Sequence, residues 1–315
     1  MRTRSVVVLG VMLLALTGGC GPAGHPTAPL AGRAGQGEMA FAPFWTPPRP
    51  LPPGAPTREF VPLDVGDYWH YETTISIDLP GDSSQPYYVG QSVEDRLVCA
   101  TDIDGLQYTI ARRTYDGSSV NPWWLAYRQD SRGLYERDHD DVPPPCDGGV
   151  FPAATRSVAR VDPMPTWQIV ASRRPDLASS AAWTRAWATL DARHEALAGL
   201  LGRRPGGVAP GELQRLGYPM YAGRSWTVRA SPWFGSRVEQ WVTLHTPAGT
   251  FGAWSIRIRS ELFAPTDVVR LFWGPSGYIG LRAGFTVEVV DQSGNIIGNV
   301  REHETETLTA LHLAR

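Results

Sequence analysis

Pro62-Leu63-Asp64-Val65-Gly66-Asp67-Tyr68-Trp69-His70-Tyr71 returns later in the chain as Pro219-Met220-Tyr221-Ala222-Gly223-Arg224-Ser225-Trp226-Thr227-Val228. The shared pattern is Pro, Leu or Met, two residues, Gly, two residues, Trp. It describes a turn into a strand: Pro fixes φ, Gly permits a tight bend, and Trp begins a buried face. Each copy is followed by a Gly-centred hairpin, Asp104-Gly105-Leu106-Gln107-Tyr108 in one and Ala248-Gly249-Thr250-Phe251 in the other. Each half then reaches Gly and an apolar residue, at Gly133-Leu134-Tyr135 and Gly277-Tyr278-Ile279. The order is the same and the spacing differs. Two related units that have diverged in loop length account for this.

Short aromatic and β-branched runs surround these landmarks. Tyr68–Ile77, Gln107–Thr114, Trp123–Arg128, Arg237–Leu244, Phe251–Ser260, Val268–Trp273 and Phe285–Val290 read as strands. Polar turns separate them, which favours antiparallel sheets. Asp291-Gln292-Ser293-Gly294-Asn295 is a turn before Ile296-Ile297. One segment is helical. Trp183, Trp187, Leu190, His194, Leu197 and Leu201 recur at alternating intervals of four and three, one face of an amphipathic helix. Pro175-Asp176 and Ser179-Ser180 supply start signals, and Gly202 to Gly206 ends it. On this face His194 reads as a packed histidine with a hydrogen-bond partner. The expected fold is mainly β (α+β): two related antiparallel β units joined by one amphipathic helix. The boundaries are 58–175 for the first unit, 176–204 for the connecting helix and 205–315 for the second.

Residues 20–57 are rich in Gly, Pro and Ala and read as a tether. Upstream, Arg2 and Arg4 precede an uncharged apolar run, Ser5 to Leu16. That length suits the apolar core of a signal peptide and is too short to span a bilayer. Thr17-Gly18-Gly19-Cys20 follows and resembles the lipobox of bacterial lipoproteins, with Thr17 where that family prefers Leu. The resemblance implies a signal peptide over 1–19 and lipidation of Cys20. Two or more acyl chains hold a protein stably where one does not. Gly21 after the cysteine weakly favours the outer membrane.

The chain has 315 residues and a formal net charge of −2. Loss of Arg2 and Arg4 with the signal peptide takes it to −4. Every basic residue is arginine, which excludes Schiff-base and lysine-base chemistry. No polybasic run argues for nucleic acid. Of the three cysteines, Cys20 is assigned to lipid, leaving Cys99 and Cys146 as an even pair for a disulfide in an oxidising compartment. The chain-entropy model gives such a loop about 4 kcal/mol.

The usual chemical motifs are missing from the sequence. There is no His-Glu-x-x-His helix, no Cys-x-x-Cys pair, no Gly-x-Ser-x-Gly elbow and no phosphate-cradling Gly loop. No cofactor or metal is expected. Asp138-His139-Asp140-Asp141 is the densest polar cluster and reads as a solvated loop, without the alternating ligand spacing of calcium loops. Asp102 and Asp104 flank a turn. Arg301-Glu302-His303-Glu304-Thr305-Glu306 alternates charge on a late strand, as a solvated face would. The paired aromatics Trp123-Trp124 and Trp233-Phe234 beside prolines read as core, with a binding surface as the alternative.

The Pro-Leu-x-Val-Gly-x-x-Trp start, the Thr246-Pro247-Ala248-Gly249-Thr250-Phe251 hairpin and the Trp273-Gly274-Pro275-Ser276-Gly277-Tyr278 ending resemble a widespread group of bacterial lipoproteins and secreted proteins of unassigned function. The resemblance covers roughly residues 60–290. It implies an extracytoplasmic β-rich body and carries no functional residues. The expectation is a lipid-anchored cell-envelope lipoprotein with a non-catalytic structural or interaction role, such as an accessory subunit of a membrane complex. Its partners are then the membrane, through the N-terminal anchor, and another envelope protein. A carrier of a hydrophobic ligand is the alternative, with an apolar cavity under the helix. An extracytoplasmic hydrolase is the second, needing His139 or His245 in a pocket beside carboxylates.

Overall fold

The computed structural model describes residues 61–79, 87–116, 118–137, 174–178, 180–200 and 212–314. The strands are β1 (Tyr68–Asp78), β2 (Tyr87–Ile103), β3 (Leu106–Tyr115), β4 (Ser118–Asp130), β5 (Gly133–Arg137), β6 (Glu212–Gly217), β7 (Ser225–Ala230), β8 (Trp233–Thr246), β9 (Gly249–Ser260), β10 (Val268–Gly274), β11 (Gly277–Val290) and β12 (Ile296–His312). The helices are α1 (Pro175–Ala178) and α2 (Ala181–Leu200). The chain is mainly β, as its alternating segments require. All twelve strands join one sheet in the order β6-β5-β4-β3-β2-β1-β12-β11-β10-β9-β8-β7.

That order is two meanders laid side by side, β1–β6 and β7–β12, joined where β1 pairs antiparallel with β12. The end strands β6 and β7 approach each other, so the sheet is a nearly closed barrel. Closure removes exposed edges. At the seam the Trp226 indole N–H donates to the Gln214 carbonyl at 2.9 Å, and its ring packs on Gly217.

The repeated sequence motif is a repeated backbone device. Gly66 and Gly223 take φ values of 104° and 94°, a region that disfavours side chains. The Gly66 N–H donates to the Leu97 carbonyl at 2.8 Å, and the Leu97 N–H returns a bond to Asp67 at 2.9 Å. In the second unit Gly223 donates to Val238 at 2.8 Å and Val238 to Arg224 at 2.9 Å. Both receiving strands bulge at the same place, between Leu97 and Cys99 in β2 and between Val238 and Gln240 in β8. The helix does not lie between the two units. It enters between β5 and β6, and β6 pairs back with β5. It is an insertion where the second unit has only the turn between β11 and β12, in which Asp291 accepts from the N–H groups of Ser293 and Asn295 at 2.8 and 2.9 Å.

The α2 stripe packs inside the sheet. Trp183, Trp187, Leu190 and Leu197 are buried with Ile75, Ile77, Phe285, Val287 and Val289 in one core cluster. The two tryptophan rings lie 6.1 Å apart. Fully burying a residue such as Leu190 contributes about 1.5–3 kcal/mol. The helix therefore fills one end of the barrel. The opposite end, where β1 starts and the β4–β5 and β10–β11 turns lie, is lined differently.

Candidate functional site

The turn end concentrates buried charge and aromatic rings, and is the candidate site. Arg113 reaches Asp95 through Nε at 2.6 Å and Nη2 at 2.7 Å, a bidentate pair with both side chains buried. Arg215 grips Glu136 in the same way, with one contact at 2.9 Å, and donates to the Leu200 carbonyl at the helix end. The Thr73 hydroxyl donates to Glu306 at 2.9 Å. The Tyr71 hydroxyl donates to the Tyr278 carbonyl at 3.1 Å. Trp69, the first-unit counterpart of Trp226, donates its indole N–H to the Ser276 carbonyl at 2.8 Å.

Two small cavities lie among these groups. One, of about 40 Å³, is lined by Leu63, Trp69, Leu97 and Leu134, the other, of about 50 Å³, by Arg113, Glu136, Arg215 and Glu306. Tyr71, Asp95, Tyr127, Trp273 and Tyr278 line both. At roughly 10–15 Å³ for a water, each has room for a few waters and is too small for an acyl chain. Burial first, then the charges of Asp95 and Glu306, push the Tyr71 phenol well above its ordinary value. Burial and Glu136 do the same to Tyr127. Both phenols stay protonated at neutral pH. Asp95 and Glu136 are each held by two hydrogen bonds from their arginine.

The alternating charges of β12 are not a solvated face. Glu302, Glu304 and Glu306 are 0%, 1% and 6% exposed and point inward. They sit opposite Ile77, Ile75 and Thr73 of β1, and Phe285, Ala283 and Leu281 of β11. Period-two alternation does not say which parity faces in, and here the glutamate parity is the inner one. One partner sits on the helix. His194 Nδ1 lies 3.2 Å from Glu302 and 3.9 Å from Glu304. His194 is thus the packed, hydrogen-bonded histidine expected from its place on the helix stripe. Next to it Arg193 contacts Asp267 at 3.1 Å and the Thr286 carbonyl at 2.9 Å.

Several sequence candidates fall elsewhere. Cys20, Cys146 and Asp138–Asp141 lie outside the described residues, and Cys99 sits at the β2 bulge. His245 is on the exposed β8–β9 hairpin, with Nδ1 3.0 Å from the Thr250 hydroxyl. The aromatics divide. Trp123 meets Tyr115 edge-on at 6.0 Å, Trp124 packs on a small cluster with Ile110 and Ala126, and Trp233 is 41% exposed. Among the described residues no group of three or more His, Cys, Asp or Glu could hold a metal. The buried pairs were missed in the sequence, although Asp95 carries a signal: it shares strand parity with the apolar Val93 and Leu97.

No family model matches the chain, and no curated protein does. Among solved structures it is similar to a chain provisionally described as a lipoprotein, from Parabacteroides distasonis, at 8% identity, covering 82% of this chain and 100% of that one with a TM-score of 0.34. It is also similar to one provisionally described as an exported protein with a YmcC-like fold, from Bacteroides fragilis, at 10% identity, covering 81% and 99% with a TM-score of 0.29. Likenesses this distant bear on neither the activity nor the partners of this chain.

Proposed function

We propose that the protein is a lipid-anchored cell-envelope lipoprotein with a non-catalytic interaction role, its β barrel held at the membrane through acylated Cys20. The charged n-region, short apolar run and small residues before Cys20 support the anchor. One observation supports the interaction role over lipid carriage. Among the described residues, helix side chains pack one end of the barrel interior and ion pairs and aromatics the other, and the two cavities between the latter are about 40 and 50 Å³. A carrier of an acyl chain needs continuous apolar space, and the space under α2 is occupied. A body of this kind acts through its outside, on a second envelope protein or on the membrane itself. The Cys99–Cys146 disulfide belongs to the same oxidising compartment.

The anchor is tested by fractionating cells that express the full chain and its Cys20→Ala variant. The expected result is native protein in the membrane fraction with a diacylglyceryl mass on the N-terminal peptide, and variant protein released or unprocessed. Equal membrane association without acyl mass on the native chain contradicts the anchor.

A further inference from the structure

The outer face of the second unit carries a row of arginines, of which Arg257 also donates to the Asp267 carbonyl at 3.4 Å. Arg237 stands opposite Arg257 across β8–β9, Arg257 opposite Arg270, and Arg270 opposite Arg282. Their chain neighbours Val238, Ile256, Val269 and Leu281 are buried, so the arginines face out. With strands about 4.8 Å apart, the row spans about 14 Å. Arg259 adds a fifth, two residues beyond Arg257 on the same strand face. Glu239, at the β8 bulge, takes Arg270 at 2.6 Å. Arg282 is exposed, its guanidinium 5.8 Å from the Phe272 ring. Like charges directly opposite each other destabilise a strand pair. Burial, then the charges of Arg257 and Arg237, hold Arg259 below its ordinary value.

A second feature shares this face. Trp233 is exposed, and its indole lies across Gly235, where a Cβ would come within 2.5 Å of the ring. Gly235 pairs with Arg259. The tryptophan therefore lies at the end of the arginine row. Exposed tryptophan beside clustered arginine is the chemistry that headgroup regions of anionic bilayers accept: the ring sits at the interface and guanidiniums fork onto phosphate.

We propose that this face docks on the anionic phosphate headgroups of the bilayer that holds Cys20, laying the barrel on its side. The proposal rests on the anchor reading above. The sequence from Cys20 to Val61, taken as a coil, reaches on the order of 35 Å, so the body stays within range of that surface. A tethered face meets its target at high effective concentration and needs little intrinsic affinity.

The test uses the full chain, its acylation checked by mass, in supported bilayers of phosphatidylcholine with and without phosphatidylglycerol. Neutron reflectometry reads the gap between headgroups and body. The body should abut the headgroups of the anionic bilayer at low salt. It should stand off the neutral bilayer, and stand off both at high salt. Each arginine removed should lower the docked-to-free ratio about fivefold, so Arg257→Gln/Arg282→Gln stands off the anionic bilayer while its melting curve is retained. A gap unchanged by lipid charge, salt or the double variant overturns the proposal. So does a body that ignores phosphatidylglycerol but captures soluble polygalacturonate over the neutral bilayer. If the mass shows no acyl group, the anchor reading has failed separately, and cosedimentation with the same two vesicle types reads the docking instead.

Discussion

The two units of the barrel share a backbone device and differ in the side chains set around it. In the first, Asp95 and Arg113 pair across β2–β3 and point inward. The equivalent positions beside the second bulge, Ser236 opposite Ile258, are both buried and uncharged. On the outer face Arg96 opposite Arg112 corresponds to Arg237 opposite Arg257. In the first unit the row then meets Trp124, and in the second it continues through Arg270 and Arg282. The lesson is that the turn glycine and the bulge hold the fold. Side chains on either face are then free to specialise: beside the bulge the first unit sets an ion pair inside where the second is uncharged, and outside the second extends the arginine pair into a row.

Removing one member of the inner pair breaks this contrast most severely. Arg113→Met leaves Asp95 buried and uncompensated, and should cost about 3–5 kcal/mol in denaturant unfolding. Asp95→Leu/Arg113→Met, which makes the first unit resemble the second, should recover most of that. A double variant as unstable as the single one would show that the pair has a role beyond its own neutralisation.

The shared backbone device comes next. Gly66→Ala and Gly223→Ala both force a side chain into positive φ, costing about 1–2 kcal/mol. Gly66→Ala should cost more, because its Cβ would meet the Ala314 Cβ at 3.3 Å while that of Gly223 meets nothing within 4 Å. Equal losses would mean that φ alone decides. Trp69→Phe and Trp226→Phe each forfeit one indole hydrogen bond, about 0.5–1.5 kcal/mol by thermal unfolding.

Acid separates the units more gently. Burial works to raise the Glu212 and Asp130 carboxyls. In Glu212 the hydrogen bonds from Arg128 and Tyr108 outweigh it, and in Asp130 those from Arg132 and Arg128 do, leaving both below their ordinary values. Their stabilisation is present above the unfolded carboxylate values, about 4, and fades as pH falls through the folded ones. Hydrogen exchange should therefore show β4 and β6 loosening before β8 and β9 on acidification. The smallest effect belongs to the outer row. Arg257→Gln should change stability by less than about 0.5 kcal/mol, with relief of like charge favouring the variant.

Much of this was legible in the sequence, and the gaps have physical causes. The Gly66 and Gly223 turns could be read because both need the same local conformation and so keep the same residue. Strands with one apolar parity, such as β1 and β9, announced themselves. The strands β2 and β6 did not, because Asp95 and Arg215 occupy inward positions and blur the alternation. The β12 glutamates show the same difficulty in its strongest form. The arginine row was invisible for a different reason. Arg237, Arg257, Arg270 and Arg282 are scattered along the chain and become neighbours only through strand register.

The interaction role proposed above requires that the barrel interior be filled by its own side chains, as it is among the described residues. Native mass spectrometry with lipid extraction, on protein purified gently from its own envelope, tests it most directly. The expected result is a chain with no lipid beyond the acyl groups proposed for Cys20. A stoichiometric, non-covalently held lipid that survives purification would contradict it and make the barrel a carrier.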